Sequence, residues 1–150
     1  MQKKDFDRAR ELFLKVISLS PDYPDSYNNL GIAMKELGQK SKAITCFQKT
    51  IELNPNHKMA HNNLGIVFKE LGELQKAISC YRKVIQINPN YVDAHNNLGV
   101  ILLQSGELQK AKSCFEKTIE INPSNASAHT VSYTHLRAHE TLRYLVCRLL

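Results

Sequence analysis

An all-α solenoid of antiparallel helix pairs is the fold this sequence predicts, and three observations predict it. The first is the pentapeptide His-Asn-Asn-Leu-Gly at His61–Gly65 and again at His95–Gly99, with Tyr-Asn-Asn-Leu-Gly at Tyr27–Gly31. The glycines fall at 31, 65 and 99, a spacing of 34 residues each time, and a fixed period in that range marks a repeat array. The second is that every period divides into two stretches of helical apolar spacing. A glycine separates them (Gly38, Gly72, Gly106) and Asn-Pro closes them (Asn54-Pro55, Asn88-Pro89, Asn122-Pro123). The third is a pair of small-residue columns: Gly31, Gly65 and Gly99 in the first stretches, and Ala43, Ala77 and Ala111 in the second. Glycine inside a helix costs up to about 1 kcal/mol relative to alanine, so its return at one point of every unit implies a close approach there.

Taken in order, residues 5–20 form a helix with apolar positions at Phe6, Ala9, Leu12, Phe13, Val16 and Ile17. Pro21 ends it, because proline cannot continue the hydrogen-bond ladder. Ala9, Phe13 and Pro21 align with Ala43, Phe47 and Pro55, with Ala77, Tyr81 and Pro89, and with Ala111, Phe115 and Pro123. Residues 1–23 therefore read as the second helix of a truncated repeat, in a chain expected to be a fragment of something longer. Full repeats follow at 24–57, 58–91 and 92–125. Their first helices are expected near 24–37, 58–71 and 92–105, and their second helices at Lys40–Asn54, Leu74–Asn88 and Leu108–Asn122. The turn glycines can take the left-handed conformation that ends a helix, and the residue before each proline is pushed off helical angles. The expected core is Leu30, Leu64 and Leu98, then Met34, Phe68 and Leu102, then Phe47, Tyr81 and Phe115.

These columns together (Tyr or His, Leu-Gly, an apolar residue, Ala, an aromatic, Pro) resemble the tetratricopeptide repeat over roughly residues 3–129. The resemblance implies helix pairs stacked into a right-handed superhelix with a concave groove. Thr50, Val84 and Thr118 depart from a usual alanine, and Lys112 stands where Ile44 and Ile78 occur, so local packing is expected to weaken there. A fourth repeat begins at Asn125, with Ala128-His129 matching Ala94-His95, but Thr130-Val-Ser-Tyr133 then replaces Asn-Asn-Leu-Gly. Tyr133 would occupy the glycine column. Residues 126–150 thus read as a broken repeat followed by either a translated adapter sequence or a native cap, the latter built on Leu142, Leu145, Val146 and Leu149.

Composition narrows the functional classes. Of 150 residues, 43% are hydrophobic and 23% charged, which suits one ordinary soluble domain. The net charge of +6 is spread over both helices of each repeat rather than gathered in a patch, which argues against nucleic acid as a partner. No apolar run nears the ~18–20 residues that span a bilayer and none follows Met1, so no membrane association is expected and a cytoplasmic location is. Cys46, Cys80 and Cys114 share the period, and a repeat spacing of about 8–10 Å exceeds the ~7 Å Cα limit for a disulfide. His61, His95 and His129 share a column too, one repeat apart, whereas zinc needs ligands converging within about 2.1 Å of one point. Packing is the expected duty of these histidines. His139-Glu140 lacks the second histidine of a zinc-protease helix, and Asn125-Ala-Ser127 reads as a chance match to a glycosylation acceptor. No cofactor, metal or catalysis is expected.

The asparagine pairs carry the functional signal. Asn29 shares a helix face with Asp25, Ile32 and Glu36, at separations of four, three and seven residues, away from the Leu30 and Met34 face. The groove candidates are Asn28, Asn29, Ile32 and Lys35, then Asn62, Asn63, Ile66 and Lys69, then Asn96, Asn97 and Val100. Asp25, Met59 and Asp93, Leu103, and Glu36, Glu70 and Gln104 flank them. An asparagine amide has an acceptor and two donors, which matches a peptide unit, and about three extended residues span one repeat of roughly 10 Å. Asn29, Asn63 and Asn97 are similar in arrangement to the asparagine ladder of O-linked N-acetylglucosamine transferases, which implies an extended peptide or protein segment as partner. The same residues could instead bond a neighbouring repeat's backbone, and that alternative stays open. Family members that hold free C-terminal carboxylates place a lysine where Asn28, Asn62 and Asn96 stand, and a second asparagine where Ile32, Ile66 and Val100 stand. This chain has neither. The expected function is a non-catalytic peptide-binding scaffold; the rival is the substrate-recruiting segment of a larger glycosyltransferase or sulfotransferase. Self-association through exposed end repeats is a third expectation.

Overall fold

Helix punctuation in the sequence sets the element order. The computed structural model describes residues 3–123, and readings made for Asn125, His129, Tyr133, residues 126–150 and their His139-Glu140 pair lie outside the described residues. Seven α-helices run through the described residues: α1 (Lys3–Leu19), α2 (Pro24–Glu36), α3 (Lys40–Leu53), α4 (Lys58–Glu70), α5 (Leu74–Ile87), α6 (Val92–Gln104) and α7 (Leu108–Ile121). They fall in two compact units, Met1–Asn88 and Pro89–Leu150. In the first unit, α2 pairs most extensively with α3 and α4 with α5, while α1 packs on α2, α3 on α4, and α2 also reaches α4. In the second unit, α6 pairs with α7.

Each helix pair is turned by the same device. Gly38, Gly72 and Gly106 have φ of 76°, 76° and 77°, which a side-chain-bearing residue rarely adopts. The glycine N–H of Gly38 donates to Lys35 O at 2.9 Å and the next N–H, of Gln39, to Met34 O at 2.9 Å. That 5→2 and 6→1 pair is a Schellman closure, and Gly72-Glu73 and Gly106-Glu107 repeat it. The second helices end on Asn54, Asn88 and Asn122 with φ of −140°, −138° and −135°, as the following prolines require. Pro24 starts α2 in the first turn, where its missing N–H costs nothing.

The core lies between the paired helices. Phe47, Tyr81 and Phe115 have no exposed surface, and neither do Ala43, Ala77 and Ala111. Burying a large apolar side chain in this way contributes about 1.5–3 kcal/mol. Each aromatic ring lies on a glycine of the partner helix. A Cβ built on Gly31 would sit 2.6 Å from Phe47 Cε1, one on Gly65 2.8 Å from Tyr81 Cε1, and one on Gly99 2.8 Å from Phe115 Cε1. The glycine column is therefore a ring-binding surface. One expectation changes here. Thr50, Val84 and Thr118 are fully buried and do not loosen the packing. Thr50 Oγ1 lies 3.0 Å from Cys46 O and 3.3 Å from Pro24 O, and Thr118 Oγ1 donates to Cys114 O at 3.0 Å, so their hydroxyls are satisfied inside.

Tyr81 differs from Phe47 and Phe115 by a buried hydroxyl that has no hydrogen-bond partner among the described residues, and burial drives its pKa far up. An unsatisfied buried polar group costs about 1–3 kcal/mol. Tyr81→Phe is expected to raise the unfolding free energy by about 1 kcal/mol, whereas Gly65→Ala, which pushes a methyl into the same ring, lowers it by about 1–3 kcal/mol. Urea unfolding of the two variants reads both signs.

Candidate peptide-binding face

The first helices bury one face and offer the next. On α2, Leu30, Ala33 and Met34 are buried while Asn29, Ile32 and Lys35 are half-buried; on α4, Leu64, Val67 and Phe68 are buried while Asn63, Ile66 and Lys69 are half-buried. Separations of three and four residues hold each set on one side of its helix. Asp25, Glu36, Met59 and Glu70 are exposed at the margins of these strips. In the second unit, α6 repeats the arrangement by itself, with Asn97, Val100 and Leu103 half-buried and Asp93 and Gln104 exposed.

Asn28 and Asn62 do not lie on this face. Asn28 and Asn62 are each only 5% exposed, and Asn96 is half-buried. Asn28 Oδ1 accepts from Asn63 Nδ2 at 3.1 Å, which ties α2 to α4, and Asn28 Nδ2 donates to Asn29 Oδ1 at 3.4 Å. Asn28 thus orients both face asparagines. It leaves Asn63 its carbonyl oxygen and one N–H, and Asn29 its whole amide nitrogen, to offer outward. Asn62 Oδ1 and Asn96 Oδ1 are buried without a hydrogen-bond partner among the described residues. Lys35 Nζ meets Glu36 Oε1 at 2.9 Å on the surface, a pair worth little, and Lys40 Nζ meets Glu70 Oε2 at 2.9 Å between α3 and α4.

Sequence reasoning missed His57. Its Nδ1 accepts from Ala60 N at 3.1 Å and so caps α4, while its Nε2 donates to Asp25 Oδ1 at 2.8 Å on α2. A side-chain cap of this kind is worth about 1 kcal/mol. The hydrogen bond from His57 holds the Asp25 carboxyl below the usual carboxylate range. The signal was in the column, where Tyr23, His57 and Tyr91 hold equivalent places. Only the histidine has a ring nitrogen that can cap, and the two tyrosines make no side-chain cap.

A second missed feature is an apolar cleft of about 250 Å³ lined by Phe6, Ala9 and Phe13 of α1 and Asn29, Ile32 and Ala33 of α2. Among the described residues, no group of three or more His, Cys, Asp or Glu side chains could hold a metal ion. Nor is any helix there long and apolar enough to cross a membrane. Cys46, Cys80 and Cys114 form no disulfide with one another. Burial pushes Cys80 up to about 11 and Cys46 up as well, so neither is a thiolate at neutral pH.

The histidine column packs against the turn that precedes its helix. His61 Nε2 is 2.9 Å from Pro55 O and His95 Nε2 is 2.7 Å from Pro89 O, so each ring donates to the proline carbonyl just past the end of the preceding helix. Desolvation lowers the His61 pKa from its ordinary 6.5, with the charges of Lys83 and His57 adding, against the Pro55 bond. The unfolded chain therefore takes up this proton first. The stability due to neutral His61 is full above about pH 6.5 and is lost as pH falls from there through the lowered folded value. Thermal melts at pH 7.5 and 5.5 are expected to show a larger acid-induced drop for the parent than for His61→Tyr, which copies Tyr27.

Comparison with known proteins agrees with this geometry. The family model described as TPR repeat matches residues 1–38 and 67–106, and two described as tetratricopeptide repeat match 24–57 with 92–125, and 46–79. No curated protein matches the chain. Among solved structures, MamA is 29% identical with a TM-score of 0.83, covering 92% of this chain and 81% of that one. YrrB, described as a TPR protein with an unusual peptide-binding site, is 27% identical with a TM-score of 0.75, covering 86% of this chain and 66% of that one. The first TPR of Spaghetti (RPAP3), bound to an HSP90 peptide, is 20% identical with a TM-score of 0.74, covering 78% of this chain and 93% of that one, a likeness of fold alone. With the repeat columns, the glycine-seated rings and these matches together, the chain belongs to the tetratricopeptide repeat family.

Proposed function

We propose that this chain is a binding module without catalysis of its own, and that the strip of Asn29, Ile32 and Lys35 on α2 with Asn63, Ile66 and Lys69 on α4 grips an extended protein segment. The observation that carries the reading is the pair of face asparagines oriented by the buried Asn28, at 3.1 Å to Asn63 and 3.4 Å to Asn29. Their remaining amide groups match the donor and acceptor of a peptide backbone, and the isoleucines beside them accept apolar side chains. Binding is then largely independent of sequence, as in the asparagine ladders that this arrangement resembles. The likeness to YrrB supports the class of ligand. A free C-terminal carboxylate is not the ligand in this reading, because the column that would supply a lysine holds Asn28 and Asn62, both buried.

The test is an array of peptides of about twelve residues, read against the parent and against the Asn29→Ala, Asn63→Ala double variant. Binding is expected to fall at least tenfold in the variant, with helicity retained, and to be unaffected by amidating the peptide C-terminus. Equal binding by a folded variant would remove the proposal.

A further inference from the structure

The 34-residue period allows each part of the fold to be compared with its own copy, and one comparison singles out α5. Its outward face is Gln75, Lys76, Ser79, Arg82, Lys83 and Gln86, all exposed except the half-buried Lys83. At 3.6 residues per turn these six span about one third of the helix circumference. Ala77, Ile78, Tyr81 and Val84 point the other way and are buried. A cation at the places of Lys76 and Lys83 recurs on every second helix: Arg8 and Lys15 on α1, Lys42 and Lys49 on α3, Lys110 and Lys117 on α7. These columns alone carry no signal. The carboxylates beside them do vary. The equivalent face holds Asp7 and Glu11 on α1, Glu52 on α3, and Glu116 and Glu120 on α7. On α5 it holds none, and Arg82 is added.

The bonding of these side chains registers the difference. Lys49 Nζ meets Glu52 Oε1 at 2.7 Å, and Lys117 Nζ meets Glu120 Oε1 at 2.9 Å. At the same place Lys83 Nζ donates to the neutral Gln86 Oε1 at 3.2 Å, which leaves its charge uncompensated. Arg82 forms no ion pair among the described residues. Lys76 is held at home, paired with Glu73 in the turn before α5 and lying 5.3 Å from the centre of the Phe68 ring. On α3, the second helix of the preceding repeat, Glu52 is already taken up by Lys49, and Lys42 has no ion pair among the described residues. That neighbour adds positive charge and offsets none. Arg82 and Lys83 are thus adjacent cations on an exposed face without a carboxylate.

We infer that the outward face of α5 docks an acidic segment of a partner protein, with Arg82 and Lys83 taking its carboxylates. Charge complementarity names the chemistry. The Arg82 guanidinium offers a fork of donors that fits a carboxylate with two hydrogen bonds. Ser79 and Gln86, one turn to either side, add neutral donors. No aromatic side chain stands on this face, so unpaired bases find nothing to stack on. Nor is any of the six apolar, so none enters a bilayer. An acidic protein segment needs neither. The face shares no residue with the proposed groove on α2 and α4, and the chain can therefore hold two partners at once.

The probe is a labelled peptide of about 14 residues with glutamate at every third or fourth position, titrated into the full chain beside its glutamine counterpart. The glutamate peptide is expected to bind saturably and the glutamine peptide is not. Arg82→Glu with Gln86→Glu gives α5 the face of α7, whose Glu116 and Glu120 stand at the same places, so the fold is kept. This variant is expected to weaken binding by about tenfold or more. Lys15→Glu with Ser18→Glu makes the same change of net charge on α1 and is expected to leave binding unchanged, as is the groove variant Asn29→Ala, Asn63→Ala. No saturable binding of the glutamate peptide, or equal binding of the glutamine peptide or by the α5 variant, overturns the inference. An equal loss in the α1 variant overturns it by reducing the effect to net charge, and a loss in the groove variant by moving the ligand there. Tighter binding of a short DNA duplex or of phosphatidylserine vesicles overturns it in favour of those partners.

Discussion

Everything else in this chain depends on an aromatic ring laid on a helix backbone. Phe47 on Gly31, Tyr81 on Gly65 and Phe115 on Gly99 are contacts so close that a single added carbon would be within 3 Å of the ring. Because the ring takes the room of a side chain, the two helices of a pair approach closely, and the alanine column beside it has no exposed surface. Close approach in turn turns each first helix so that the neighbouring strip, three and four residues on, is only half covered. The half-covered strips carry the asparagines. Packing thus determines which residues are offered to a ligand before any ligand is considered.

Much of this was legible in the sequence because it repeats. The period, the turn glycines, the Asn-Pro stops and the identity of the core columns are each written three times, and backbone sterics act the same way each time. Individual departures from the columns were harder to read. Thr50 and Thr118 looked like flaws in the packing, yet each hydroxyl finds a carbonyl within its own helix. His57 looked like any loop residue, because its value lies in two nitrogens pointing in different directions, toward Ala60 N and toward Asp25. Such geometry has no signature in residue type alone.

The asparagine pairs show the same limit. In the sequence, Asn28 and Asn29 are adjacent and equivalent; in the fold, one is inside and the other at the surface, joined by a hydrogen bond. In the proposed reading, scaffold and ligand duties fall to different members of each pair. The buried member holds the outer ones at a defined orientation, which removes part of the entropy that a free side chain would lose on binding. Hence a substitution at Asn28 would act on the outer face through orientation rather than by contact.

The turn between paired helices has a consequence for how the chain comes apart. Gln39 donates its N–H to Met34 O, closing α2, and its C=O accepts from Ala43 N at 3.0 Å, opening α3; Glu73 and Glu107 do the same for their pairs. One residue thus belongs to the hydrogen bonding of both helices. Neither helix can fray at this end without unfastening its partner, so the hairpin, rather than the single helix, is the smallest piece that opens. Amide exchange across Lys35–Ala43 would then proceed at one shared rate, and evolution would find its freedom to insert residues at the Asn-Pro ends instead, where the bond that closes α3 and the bonds that open α4 fall on different residues, Asn54 and His57.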